Sequence, residues 1–183
     1  FDAVLTVDGA YKAADFINFC DAYDIPVLSL TNVKGYAADV RSEKSIAKAV
    51  AKLTYAFANA NVPKVNVITG EAYGSAYVTM NSKALGADVT YAWPDASIGM
   101  MDANEAAKIM YADDIAKSAD VQSVISEKAA EYAALQSGVE SAAARGYVDT
   151  IINPEDTRKY VAAAFEMLYT KREDRPDKKH GTV

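Results

Sequence analysis

The sequence has almost none of the residue types on which nucleophilic and metal-dependent enzymes rely. Its 183 residues include one cysteine, Cys20, and one histidine, His180, near opposite ends of the chain. A zinc site needs about three or four protein ligands, so cysteine and histidine cannot supply one here. A catalytic triad would have to use a histidine close to the C-terminus, where chains are poorly held. We therefore expect no metal site, and chemistry that uses backbone groups, carboxylates, tyrosines or a cofactor brought from elsewhere.

The lone cysteine also indicates the redox compartment of the protein and a residue of its hydrophobic core. One thiol cannot form an internal disulfide, which fits a reducing, cytoplasmic location. Cys20 shares a predicted helix face with Ala13, Phe16 and Tyr23. We interpret it as a core thiol rather than a nucleophile, because a thiol on an apolar face packs as a small hydrophobic group.

Long apolar runs and an excess of positive charge are absent as well. No apolar stretch is long enough to cross a bilayer, so we expect no direct membrane insertion. Lysine and arginine number 19 against 25 aspartates and glutamates, and the net charge of −6 argues against nucleic acid as the partner. The basic stretch within 171–183 is interrupted by acidic residues, so we interpret it as an extended C-terminal tail, a solvated terminus or docking arm. The start at Phe1, without Met or a basic segment, is typical of a chain entered partway through.

What is present describes an ordinary globular domain. The composition is 51% hydrophobic and 24% charged, with nine glycines and five prolines. The length predicts one domain over 1–183 with its own core. Strand and helix signals alternate along it. Strands are predicted over 3–7, 26–31, 65–69, 89–93, 97–100 and 146–152, and helices over 10–23, 42–59, 75–85, 104–110, 113–144 with a break at Gly138, and from Pro154 onwards. This alternation predicts an α/β layered domain with mostly parallel strands and helical crossovers.

Ligands in such folds bind at the carboxyl ends of the strands, where two segments stand out, 32–41 and 70–75. The second follows a strand predicted to end at Thr69 and precedes a helix predicted to begin near Ser75. The amides of Ser75 and Ala76 would be first-turn donors without helical partners, at the positive end of the helix dipole. Gly74 would let another group approach the backbone closely. This geometry can stabilise an oxyanion or enolate without an acidic side chain.

A plainer interpretation stays open: the glycines of this segment only turn the chain and pack a helix on a sheet. A phosphate-binding loop is excluded, because the segment has no lysine and Glu71 would repel phosphate. Tyr36, Tyr73 and Tyr77 are the tyrosines beside the two segments. Met100, Met101 and Met110 are interpreted as core filler.

Eight segments then resemble one protein family. They include Ala72-Tyr73-Gly74-Ser75-Ala76-Tyr77 and the stretches 19–26, 61–69, 80–83, 85–89, 92–94, 145–149 and 178–181. In this order and spacing they resemble the carboxyltransferase (β) subunits of biotin-dependent acyl-CoA carboxylases and decarboxylases, of the propionyl-CoA carboxylase and methylmalonyl-CoA decarboxylase type, in the crotonase superfamily. The resemblance covers nearly all 183 residues.

The resemblance implies a fold, partners and cofactors. Such subunits contain two crotonase-fold halves, and this chain resembles the C-terminal one. The N-terminal half holds the acyl-CoA substrate, while the C-terminal half of the opposing subunit receives biotin from a carrier domain, without a metal. The implied partners are therefore the N-terminal half, a biotin carboxyl carrier, a biotin carboxylase or membrane decarboxylase subunit, and further copies in a homo-oligomer.

The resemblance also implies site residues. The amides of Ser75 and Ala76 correspond to the donors that stabilise negative charge on the biotin ureido oxygen. The biotin- and substrate-binding positions are Gly74, Tyr73, Tyr77, Val78, Gly35 and Tyr36, the last two in a loop that flanks the biotin pocket. The family usually has Gly at position 75, and many of its carboxylases have Asp at position 78, a site associated with acyl-chain choice.

Three hypotheses follow. The first is a biotin-dependent carboxyltransferase acting on a short-chain acyl-CoA, inactive as a separate half. The second is the carboxyltransferase subunit of a sodium-pumping acyl-CoA decarboxylase. The third is a non-catalytic crotonase-fold assembly module, which the serine at position 75 and the departure of the helix from Ser42 from the family pattern favour.

Overall fold

The computed structural model describes residues 3–118 and 120–174, leaving out the side chain of Arg41. The strands are Val4–Leu5 (β1), Val27–Val33 (β2), Gly35–Tyr36 (β3), Lys64–Tyr73 (β4), Val89–Ala92 (β5), Ser97–Gly99 (β6) and Thr150–Ile151 (β7). The α-helices are Val7–Ala22 (α1), Val40–Asn59 (α2), Gly74–Thr79 (α3), Ala103–Met110 (α4), Ala112–Lys117 (α5), Val121–Tyr132 (α6), Val139–Ala144 (α7) and Thr157–Met167 (α8).

The strands form a main sheet in the order β2-β4-β5-β7, with β6 pairing along the end of β4. A separate pair joins β1 to β3. Every pairing between these named strands is parallel, and helices make most of the crossovers between them. The predicted α/β class with mostly parallel strands is therefore confirmed.

Two helical layers cover the main sheet, because successive residues of a strand point to opposite faces. On one face α1 and α2 pack together around Ala14, Leu53 and Phe57. On the other face α8 covers Val65 and Val67 of β4. A third cluster joins α3, β6 and α7 at the carboxyl end of β4, which is where the candidate site lies.

The predicted apolar face of α1 is only partly right. Cys20 is buried as expected, and burial raises the pKa of its thiol. Phe16 and Tyr23 are exposed, however, because α1 packs on α2 through the small side chains Ala10 and Ala14. Small residues at this contact let the two helices approach closely.

Several boundaries differ from the predicted ones. The strand predicted over 65–69 continues to Tyr73. The helix predicted to run to residue 85 ends at Thr79, because Asn81 adopts a left-handed conformation with φ of 56°. A short 3-10 turn, Lys83–Leu85, follows and is closed by Gly86, as predicted for that glycine.

Four further elements also differ from their predicted bounds. β1 is two residues long, because the Thr6 hydroxyl accepts a hydrogen bond from the Gly9 amide (3.1 Å) and begins α1. Gly35 and Tyr36, expected in a loop, form β3. The helical stretch predicted over 113–144 is divided into α5, α6, a π-helical turn Ala133–Ser137 and α7, with Gly138 at the predicted break. The strand predicted over 146–152 is reduced to β7.

The C-terminal tail predicted over 171–183 lies mostly outside the described residues, and so does His180. Within the described part, Lys171 is anchored rather than free, since its Nζ donates to Asp88 Oδ2 (2.9 Å). None of the helices in 3–118 and 120–174 is both long and apolar enough to cross a bilayer.

Candidate functional site

The site is built on the turn from β4 to α3. Gly74 is the first residue of α3 and has φ of +58°, a left-handed conformation that side chains rarely adopt. A Cβ atom at this position would also lie 2.9 Å from the Met100 carbonyl oxygen. The turn therefore requires glycine for two independent reasons.

Ser75 and Ala76 are the next two residues of α3. They lie in its first turn, where backbone amides have no carbonyl four residues earlier in the helix to bond. Among the described residues, neither N–H donates to a side chain or to a loop carbonyl. Ser75 is exposed, and Ala76 is buried. Ser75 is thus the more accessible of the two predicted donor residues.

A pocket of about 480 Å³ opens beside this turn. It lies between α3, β6 and the segment from the π-helical turn through α7 to Tyr147. Its lining residues are Gly74, Ser75, Tyr77, Val78, Ser82, Ala84, Ile98, Gly99, Met100, Gln136, Ala142, Arg145 and Tyr147. Its wall is mainly apolar, so a bound group would lose much of its contact with water.

The structure brings four of the predicted site residues to this pocket, namely Gly74, Ser75, Tyr77 and Val78. Ala76, the second predicted donor, is buried and is not among the lining residues. Tyr73 lies behind the turn instead. Its hydroxyl donates to Ser97 Oγ (2.9 Å), whose own hydroxyl donates to the Ser137 carbonyl (3.4 Å). Burial raises the pKa of Tyr73. This chain of hydrogen bonds ties the turn to β6 and to the π-helical turn.

Gly35 and Tyr36 are not among the residues that line this pocket. They form β3 beside β1, and Tyr36 packs against the cluster that contains Ala76 and Tyr77. Their expected place at the flank of a biotin pocket stays a prediction.

Tyr77 is a buried polar side chain of the pocket wall. Its hydroxyl has no hydrogen-bond partner within the described residues. Burial, with a smaller contribution from the nearby Tyr147, raises the pKa of Tyr77 to about 12. The phenol is therefore neutral throughout the physiological range of pH.

Sequence reasoning missed much of the opposite wall. Met100, interpreted as core filler, is 76% exposed and lines the pocket, and Met110 is exposed as well. The strand pattern at 97–100 could have placed β6 beside the end of β4, and so near the turn. Gln136 and Arg145 come from a helical stretch that gave no such signal.

Fold and site together define an α/β protein of the crotonase type with the first turn of a helix beside a pocket. Residues 2–183 match the carboxyl transferase domain family, and the chain belongs to that family. The chain is 50% identical over 180 residues to a putative propionyl-CoA carboxylase beta chain of Bacillus subtilis, covering 98% of this chain and 36% of that protein. It is 43% identical over 178 residues to the methylmalonyl-CoA carboxyltransferase 12S subunit of Propionibacterium freudenreichii subsp. shermanii, covering 97% and 34%.

Solved structures agree. The chain superposes on the transcarboxylase 12S structure with a TM-score of 0.92 at 42% identity, covering 97% of this chain and 34% of that one. The β subunit of P. aeruginosa geranyl-CoA carboxylase gives 0.83 at 27% identity, with coverage of 99% and 35%. The predicted family and the crotonase-like fold are thus confirmed. The chain spans about a third of the length of these relatives.

Proposed function

We propose that this chain is the biotin-binding, C-terminal part of a biotin-dependent acyl-CoA carboxyltransferase, which moves a carboxyl group between carboxybiotin and a short-chain acyl-CoA. One observation supports the proposal: Ser75, in the first turn of α3, lines a pocket of about 480 Å³, and Ala76 follows it in the same turn. An apolar pocket with a few placed polar groups is typical of a small-molecule site.

The residues present fit a biotin group. Apolar walls that include Val78, Ile98 and Met100 suit a bicyclic ring and an aliphatic chain. When bound, biotin would supply a ureido nitrogen that carries the carboxyl group. Loss of that carboxyl group would leave negative charge on the ureido oxygen, and paired N–H donors such as those of Ser75 and Ala76 would stabilise such charge.

Each part of the site has its own role in the proposed reaction. The Ser75 and Ala76 amides donate to the oxygen that becomes anionic. Gly74 allows the left-handed turn and the close approach of the Met100 carbonyl, and so sets the position of the two amides. The apolar wall keeps water away, which strengthens hydrogen bonds to a developing charge. The chain needs no nucleophilic side chain for this mechanism.

The partners remain those that the resemblance implies: the N-terminal acyl-CoA-binding half, a biotin carboxyl carrier, a biotin carboxylase and further copies of the same subunit. Exposed apolar side chains on α1 and β2 support a covering partner at these elements. They are Phe16, Phe19, Tyr23, Leu28 and Leu30. A group of this kind on a protein surface is typical of an interface.

A decarboxylase subunit is the second candidate. The chain is 43% identical over 180 residues to the methylmalonyl-CoA decarboxylase subunit alpha of Propionigenium modestum, of which it covers 35%. The same amides would serve in the decarboxylation direction, because the forward and reverse reactions pass through the same transition state. Copurification of the full-length protein with a membrane decarboxylase subunit would favour this candidate.

The test uses the full-length protein, assayed for decarboxylation of methylmalonyl-CoA and malonyl-CoA with free biotin as acceptor. We expect Gly74→Ala to lower kcat/KM about 100-fold or more, as loss of an oxyanion donor does. Gly86→Ala is the matched control, since Gly86 is also left-handed (φ of +109°) but its Cβ would have space. We expect it to keep kcat/KM within about threefold, because its change is one of backbone strain alone.

Two outcomes would count against the proposal. Full activity of Gly74→Ala would show that this turn is not the donor site. A folded full-length protein that turns over neither acyl-CoA would favour the assembly module.

A further inference from the structure

Arg145 carries the one formal charge among the side chains that line the pocket. It follows the last residue of α7, and its side chain is exposed, at the open side of the pocket. The other lining residues are apolar or neutral. A cation at the edge of an apolar pocket favours an anionic ligand.

The partners of Arg145 leave that charge unbalanced. Its Nη2 donates to Gln136 Oε1 at 2.6 Å, and both side chains line the pocket. Among the described residues, no carboxylate forms an ion pair with Arg145. Lysines elsewhere do have such partners, as in Lys83 with Asp149 and Lys171 with Asp88. The amide of Gln136 holds the guanidinium group without neutralising it.

We propose that Arg145, held in place by Gln136, binds the carboxylate of a ligand in this pocket. The inference rests on the proposed function, and it names the chemical group that the site recognises. A guanidinium group offers five N–H donors in a planar fork, and Gln136 uses only one side of it. The apolar walls strengthen a charge-assisted hydrogen bond to a carboxylate.

Two ligands of a carboxyltransferase carry that carboxylate. One is the carboxylated acyl thioester, and the other is biotin with the carboxyl group on its ureido ring. The variants are Arg145→Gln and Arg145→Lys in the full-length protein. Arg158→Gln is the matched control, because Arg158 is an exposed arginine on α8 and loses the same charge.

The first measurement is the Kd of methylmalonyl-CoA and of propionyl-CoA by calorimetry, since the two differ by the carboxylate. The second is kcat/KM for carboxyl transfer to biotin methyl ester, which lacks the valerate carboxylate of free biotin.

If the acyl carboxylate is bound, Arg145→Gln raises the Kd of methylmalonyl-CoA about tenfold or more and leaves the Kd of propionyl-CoA unchanged. If the carboxylate on biotin is bound, both Kd values stay unchanged and kcat/KM falls about tenfold or more. Arg145→Lys recovers part of either loss, because it keeps the charge but not the planar fork.

Three results would overturn the inference. One is an effect no larger than that of Arg158→Gln on every measurement. Another is an equal loss for methylmalonyl-CoA and propionyl-CoA, which would show a role unrelated to the carboxylate. The third is a loss seen with free biotin but not with its methyl ester, which would assign Arg145 to the valerate group. A wild-type protein without turnover would defeat the proposed function, while the Kd comparison would still report on Arg145.

Discussion

At the scale of single residues, the pocket wall combines a required glycine with a buried and unpaired phenol. Gly74 is fixed by its backbone conformation, whereas the Tyr77 hydroxyl has no partner among the described residues. A buried hydroxyl without a hydrogen bond is a cost that a folded protein usually avoids. Tyr77 is therefore a residue at which stability and pH are linked.

We predict that the stability of the protein falls as the pH rises from 10 to 12, in part because of Tyr77. Burial raises the pKa of Tyr77 to about 12 in the folded state, whereas an unfolded tyrosine titrates near 10. Between these values the unfolded chain loses the proton and the folded chain keeps it, so the free energy of unfolding decreases. The full effect is about 2–3 kcal/mol, at about 1.4 kcal/mol per pKa unit.

Urea unfolding at pH 8 and pH 11 checks this prediction. Tyr77→Phe should lose about 1 kcal/mol less than the wild type over that interval, because it has no phenol to ionise. Tyr169→Phe is the control, since Tyr169 is 82% exposed. Identical losses for the wild type and Tyr77→Phe would contradict the burial of this hydroxyl.

At the scale of secondary structure elements, a buried lysine closes helix α2. Lys64, the first residue of β4, is fully buried, and its Nζ donates to the carbonyl oxygens of Phe57 (2.7 Å) and Ala60 (3.0 Å). Phe57 lies in the last turn of α2 and Ala60 directly follows the helix. At such a helix end backbone acceptors lack helical partners and positive charge is stabilising. One side chain thus links the helix end to the sheet.

Replacing this lysine tests the contact. We expect Lys64→Met to lower the free energy of unfolding by about 2–4 kcal/mol, because two buried carbonyls lose a charged donor. Lys48→Met, on the exposed side of the same helix, should change it by less than about 0.5 kcal/mol. Equal effects of the two substitutions in chemical denaturation would show that Lys64 does not support α2.

The same scale explains how much of the fold could be predicted. Strand and helix alternation identified the parallel α/β order, and the glycines at 70 and 74 indicated the turn that leads into α3. Sequence could not show that β4 continues past Gly70. That continuation depends on Asn32, whose Oδ1 accepts from the Glu71 amide (3.0 Å) at an irregularity in β2, and on β6, which pairs with the last residues of β4.

The pocket was harder to predict than the turn. Half of its wall comes from β6 and from residues 136–147, which lie far from Ser75 in the sequence and meet it only in the folded chain. Arg145 and Gln136 illustrate this limit. No local pattern places their side chains together, because their contact depends on the π-helical turn and the break at Gly138.

At the scale of the whole molecule, this chain spans about a third of the length of its relatives, and the proposed function assigns the acyl-CoA to residues outside it. We expect the chain on its own to give no detectable decarboxylation of methylmalonyl-CoA with biotin, and the full-length protein to restore turnover. The physical reason is that a donor turn without a bound acyl-CoA cannot hold both reactants in reach. Equal turnover by the isolated chain would contradict this division.

The central claim is that the amides of Ser75 and Ala76 stabilise charge on a bound oxygen. The structure of the full-length protein with biotin bound tests it most directly. The account predicts the ureido oxygen within hydrogen-bond distance of both nitrogen atoms, at about 2.7–3.1 Å. Biotin held elsewhere, or the same two amides bonded to acceptors within the protein, would contradict it.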